Sequence, residues 1–450
     1  MQPEMMFNGI DWTTGTYALL PRQEKALGEA ATAPGSDPQV PRDLAPWCNP
    51  AYLDEAGWGV IVHADEDPLV MAALEPLLQH RRRLAGKCYK EIWVKAEDFT
   101  LDPDLAAGEF QRKHQIAPSG DVDPEVLPYY LLIVGSPELI PFEFQYELDI
   151  RYAVGRIFFE RPEDYATYAR NVVATETAPP FASRSARLFA AENDDLTRES
   201  TAKLALPLTA KMKKVAPQWD WACLAGANAT RHQLDRLMGG ADTPSLLLTL
   251  GHGVLYGQPD LKQRLQYQGG LLCSDWKGPG HRLFFDHAFF AKDVNPSINM
   301  RGSIAFFFSC FTAGTTQLDD FYPDDAERRQ IHPFPFVSRL PMALLACERG
   351  PLAVIGHIDR AYLYSFLWDQ QTSEITHFAS LFYQLMEGKR LGDAMGTFNR
   401  RFAEVSAQIL ARQMRQGPQA TDKLHVWNAW HDSRNYLVLG DPAVALPLAG

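Results

Sequence analysis

Three stretches of this chain are apolar without alternation: YYLLIV at 129–134, SLLLTL at 245–250 and SIAFFF at 303–308. A strand with one wet face carries a polar residue at every second position, so these runs require burial on both faces. The arrangement that buries both faces is a parallel sheet with crossover helices on either side. Further strand candidates fit the same plan at 58–63, 91–95, 153–157, 186–191, 219–224, 353–355 and 436–439. Helical periodicity falls between them at 68–84, 162–175, 197–215 and 373–387. The expected fold class is α/β, with a doubly wound, mostly parallel sheet.

A length of 450 residues exceeds what a single core usually organises, so two domains or subdomains are expected. Residues 21–46 are rich in proline and small residues and read as a linker, making 1–46 an N-terminal extension and starting the body near Trp47. The stretch TAPPFASRS breaks the pattern again and divides the body into 47–180 and 181–450. No internal repeat recurs at a fixed period.

Charge and composition exclude several function classes. A net charge of −12 disfavours a phosphate-tracking surface, so nucleic acid is not expected as the main partner. The basic run Arg81 to Arg83 reads as a solvated helix end. No signal sequence or spanning run is present, and Gly388, Gly392 and Gly396 lack the apolar helix that a membrane dimer needs, so no membrane partner is expected. Six cysteines without CxxC spacing and twelve histidines without HExxH point to a reducing cytoplasm, no metal and no cofactor. Trp427, Trp430 and Tyr436 read as core packing before the last strand.

Functional groups of a parallel sheet collect at the carboxyl ends of its strands, where loops and helix N-termini converge. Two strands end in reactive residues: SLLLTL runs into Gly251-His252-Gly253, and SIAFFF into Ser309-Cys310. A cysteine after an apolar strand is usually a small buried residue. What sets Cys310 apart is a histidine at a neighbouring strand tip, at the spacing that a Cys/His dyad needs. An imidazole can take the thiol proton during attack. The backbone N–H groups of Gly253 and Cys310 are candidates for an oxyanion hole, where each such donor is worth about 3 kcal/mol in the transition state. His357 also follows a strand but reads as structural.

These blocks resemble those of the caspase-like cysteine peptidases, in their gingipain-like and CHAT-domain branch. An apolar strand then GHG at 251–253, and an apolar strand then SC with a following glycine at 309–314, resemble the two signature blocks of that group. LLIVGSPELIPFEFQYELDIRYAVGRI at 131–157 is similar to the gingipain-type segment before the catalytic subdomain, with Ser136 in place of the usual aspartate. AVIGHIDRAYLYSF at 353–366 resembles a pocket wall, and LGDPAVALP at 439–447 the final strand block. The resemblance implies a caspase-like sheet in two side-by-side α/β subdomains and peptide-bond hydrolysis through an acyl-enzyme, with a protein or peptide as substrate and a protein activator or self-cleavage as control. It implies a pocket drawn from Leu250, Gly251, Phe308 and Tyr362. Acidic residues in the loop 192–195 and at Asp359 would select arginine or lysine, with Asp194 and Asp195 as pocket candidates and Glu192 as a third catalytic group that orients His252. Asp275 with Trp276, and Asp319 with Asp320, are weaker cleft candidates. Two other functions stay open: a non-catalytic interaction module on the same fold, and an amidase or acyltransferase using the same dyad.

Overall fold

The computed structural model describes residues 9–18, 44–99, 110, 112–116, 120–240, 242–319, 330–367, 373–416 and 423–449. Most of linker 21–46 and Asp320 lie outside them. The chain is an α/β protein built on one sheet of ten strands. In chain order these are β1 (Trp58–His63), β2 (Tyr89–Val94), β3 (Tyr130–Val134), β4 (Ala153–Ile157), β5 (Ser185–Ala190), β6 (Asp220–Ala225), β7 (Leu246–Leu250), β8 (Ile304–Phe308), β9 (Ala353–His357) and β10 (Tyr436–Gly440). Their order across the sheet is β2-β1-β3-β4-β10-β9-β8-β7-β5-β6. Every neighbouring pair is parallel except β9 and β10. This is the doubly wound, mostly parallel arrangement expected, and it is consistent with a caspase-like α/β fold.

The unalternating strands do have two apolar faces. Val60, Val62, Leu132 and Val134 belong to one core, whereas Ile61, Leu131 and Ile133 between them belong to another on the opposite side of the sheet. The first four strands occupy one end of the sheet and the other six the rest, and among the described residues the two groups of strands pair only where β10 lies beside β4, with Leu439 opposite Arg156.

A buried charge cluster sits at this seam and corrects the reading of Arg81. Arg82 and Arg83 are exposed, but Arg81, on α1 (Pro68–Ala85), is fully buried. Its Nε donates to Asp441 Oδ2 at 2.7 Å, and its two Nη groups donate to Glu176 on α2 (Pro162–Thr177), each at 2.7 Å. Asp441 Oδ1 also accepts from Trp58 Nε1 at 3.0 Å. The helix turn carries two kinds of arginine because α1 packs its Arg81 side against α2 and the end of β10, a distinction that a run of like charges cannot reveal.

The N-terminal residues correct a second expectation. The body does not begin near Trp47: Ile10–Asp11 pairs parallel with Val254–Leu255 and antiparallel with Thr16–Tyr17, forming a three-stranded sheet on the loop that follows β7. Among the described residues no helix is long and apolar enough to cross a membrane, and all six cysteines are free thiols. Trp430 and Tyr436 pack into the core as expected.

Candidate active site

Strands β7 and β8 are adjacent and parallel, with Leu250 opposite Phe308. Each candidate residue stands two positions past that last pair, so register alone brings His252 and Cys310 to neighbouring tips. The tips touch at the backbone. A Cβ on Gly253 would lie 1.9 Å from Cys310 O, so only glycine permits the approach.

Cys310 is fully buried. The Ala361 N–H donates to its Sγ at 3.3 Å, placing the loop after β9 directly on the thiol. Burial pushes the thiol up to about 12, while the N–H groups of Ala361 and Gly253 and the Arg360 cation pull toward the thiolate. The same two loops hold backbone strain. Phe311 and Asp359 both have φ +63°, a region that non-glycine residues rarely occupy, and the Phe311 N–H donates to Asp359 O at 2.7 Å. Such strain concentrates at functional sites.

His252 is also fully buried, and its Nε2 lies 2.6 Å from Asp194 Oδ2. Asp194 caps α3 (Asp195–Ser200), its Oδ1 accepting from the Thr197 N–H and the Thr197 hydroxyl, each at 2.8 Å. Burial works to raise the Asp194 carboxyl. The His252 imidazole and the Thr197 donors outweigh it and hold the group well below the usual carboxylate range.

The loop 192–195 therefore differs from expectation at three positions. Glu192 does not face His252: its N–H donates to Ser274 Oγ at 2.9 Å, and its carboxylate turns to Gly226, where an added Cβ would stand 3.1 Å from Oε2. Asp195 is on the surface and pairs with Arg198 at 2.6 Å. Asp194, expected in the pocket, is the residue that holds the imidazole. Helix capping selects it, because an N-cap side chain must fold back over the first turn. The pattern Asp194-x-x-Thr197 carries that signal in the sequence.

The expected pocket residues divide in the same way. Leu250 is a buried strand residue, and Gly251 packs against Ala191 and Leu272 O. Phe308 is a core side chain among Phe366, Phe378 and Tyr436, with ring separations of 6.0, 5.8 and 6.3 Å. Tyr362 is buried, its N–H donating to Asp432 Oδ1 at 2.8 Å. Asp359 is buried beside Arg360, its Oδ1 3.7 Å from Nη1. Arg360 makes a two-pronged bond to Asp319, at 2.9 and 2.7 Å. The Arg231 N–H donates to Asp275 Oδ2 at 2.6 Å, fixing Asp275 at a helix start, and Trp276 packs in the small core under residues 9–18. Among the described residues, no group of three or more His, Cys, Asp or Glu could hold a metal ion.

His357 packs edge-on against Tyr436 at 4.8 Å, and its Nε2 lies 3.2 Å from Asp432 O. Burial pushes this imidazole down to about 4. In the unfolded chain it takes its proton near pH 6.5. Between these values the unfolded state binds more protons, so His357 costs stability as the pH falls from about 6.5 to 4, by about 3 kcal/mol. Burial raises neighbouring Asp432 to about 6, with Arg401 opposing, so this carboxyl favours the folded state on acidification across nearly the same window. The two effects offset each other in the parent chain. His357→Gln removes only the first, so relative to the parent it should gain about 3 kcal/mol between pH 6.5 and 4. Denaturant midpoints at pH 7 and 4 measure this, and parallel pH courses for the two proteins would refute it.

No protein-family model matches the chain, and no curated protein matches it. Among solved structures, a chain described as "Structure of Protease" superposes with a TM-score of 0.52 at 12% sequence identity, covering 87% of this chain and 78% of that one. The likeness extends over nearly the whole length, and at this identity it is a likeness of fold.

Proposed function

We propose that the protein is a cysteine endopeptidase in which Cys310 is the nucleophile, His252 its proton acceptor and Asp194 the group that orients the imidazole. The observation that carries this reading is the His252–Asp194 contact at the tip of β7, beside a cysteine at the matching tip of β8. With Nε2 on the carboxylate, Nδ1 is the nitrogen that would take the thiol proton. The thiolate would attack the peptide carbonyl while the N–H groups at Gly253 and Cys310 receive the oxyanion; the C–N bond would break as the imidazolium returns its proton to the departing amine, and water would then hydrolyse the thioester to free the acid and the thiol.

The buried thiol, raised to about 12 with Ala361 on it, fits a resting form. Activation would lift the loop 359–362, through a partner or self-cleavage, and admit the substrate. The acidic character around Arg360 supports a basic residue before the cleaved bond: two carboxylates, Asp319 and Asp359, surround one guanidinium beside the nucleophile. Six free cysteines support a reducing compartment, the cytoplasm.

The test is a panel of peptides ending in Arg, Lys or Asp before a reporter amide, together with peptidyl chloromethyl ketones of the same sequences. Cleavage after Arg or Lys, with the label on Cys310, is the expected result. Cleavage only after Asp would make Arg360 the selector in place of its acidic neighbours. A protein that neither cleaves nor takes the label, even with cell extract added, would be an interaction module on this fold. Transfer of the acyl group to an amine, seen by mass spectrometry, would make it an acyltransferase.

A further inference from the structure

The proton-handling side of the candidate site includes a residue from far outside the main sheet. Residues 9–18 lie along the loop after β7, with the Ile10 N–H donating to Gly253 O at 3.0 Å and the Trp12 N–H to Leu255 O at 2.9 Å. Side chains fix the segment as well. Ile10 is fully buried with Val254, Leu272 and Phe290 in a small separate core, and Trp12 stacks on Phe285 at 4.7 Å. At the bend, Gly15 has φ +62°, and a Cβ there would stand 2.4 Å from His281 O, so glycine is required for the segment to turn back. The returning strand delivers Tyr17 edge-on to His252, at a ring separation of 5.9 Å. Its hydroxyl donates to Asp194 Oδ2 at 2.8 Å, the same oxygen that lies 2.6 Å from His252 Nε2.

We infer that Tyr17 is a positioning residue for the His252–Asp194 pair, which makes the N-terminal segment a working part of the site and not merely its cover. A carboxylate held at one oxygen can still rotate about its last bond. Here Thr197 ties Oδ1 and Tyr17 ties Oδ2, so the acceptor for the imidazole has one orientation. The phenol stays a donor throughout, since burial and the Asp194 charge both push its ionisation up, with Asp195 adding to them and Arg198 opposing. The segment's own hydrogen bonds run to Gly253 O and Leu255 O, on the imidazole side of the tips. The catalytic consequence rests on the peptidase reading, but the positioning does not.

Two readouts on the full chain keep these apart. The proton NMR spectrum of the resting protein should show a low-field imidazole N–H signal that Asp194→Asn removes, which assigns it to the pair. In Tyr17→Phe the ring stays and the competing donor goes, so Oδ2 becomes a stronger acceptor and the signal should move further downfield. On a cleaved peptide, Tyr17→Phe should lower kcat about 10-fold with KM within about twofold, and Tyr17→Ala should lose more. A signal unmoved in Tyr17→Phe overturns the inference whatever the enzyme cleaves. So does a kcat that rises in either variant, which would make the segment a brake. Silence toward every peptide even with cell extract added, with the signal shifted as expected, would defeat the peptidase reading and leave the positioning in place.

Discussion

Under the proposed mechanism, peptide turnover should vanish in Cys310→Ala and fall about 10³-fold in Asp194→Asn, while Glu192→Gln stays within about twofold of the parent. The contrast between the two acidic residues is the informative part, because they lie two positions apart in one loop and differ in where they point. Asp194 accepts at Oδ2 from the imidazole edge, which keeps the proton on Nε2 and leaves Nδ1 for the role of base in the proposed mechanism. Asparagine can present an N–H at that place and so favour the opposite tautomer, in which Nδ1 carries the proton and cannot take another from the thiol. Glu192 faces Gly226 and has no such influence. Steady-state kcat on the best peptide decides, with melting curves to show that the variants are folded. An Asp194→Asn enzyme within about threefold of the parent, or a Glu192→Gln enzyme as slow as it, would remove Asp194 from the mechanism.

The second large effect concerns stability. Asp441→Ala should destabilise the protein by about 3–5 kcal/mol, because it leaves the Arg81 guanidinium buried with only part of its compensation. Both side chains are fully buried, and Asp441 also holds Trp58 Nε1 and the Ala443 N–H. The cluster joins α1 and α2 to the end of β10, so the loss should appear as lower cooperativity between the two groups of strands as well as a lower midpoint. Guanidinium denaturation followed by tryptophan fluorescence would measure it. A change below about 1 kcal/mol would mean that the seam is held by its apolar contacts alone.

The sheet was legible because burial on both faces writes itself into the strands: no polar residue interrupts YLLIV or IAFFF, and each run is a strand. The meeting of the two tips was legible too, since it follows from two neighbouring parallel strands in register. Side-chain direction inside a loop was not. Nothing in the spacing of Glu192, Asp194 and Asp195 states which of them faces His252, and the answer comes from the capping geometry of a six-residue helix. The N-terminal segment is not legible for a different reason: its strands are two residues long, too short to show any period. The burial of Arg81 is not legible because its partner Asp441 is 360 positions away in the chain.

The position of β10 has a consequence for biosynthesis. The strand that separates β4 from β9 is made after all the others, so a growing polypeptide holds both groups of strands with an unfilled gap between them. The sheet cannot be complete until residue 440 has left the ribosome. Maturation of the cleft is thereby timed to the emergence of this last strand of the sheet, when the backing for β9 first arrives.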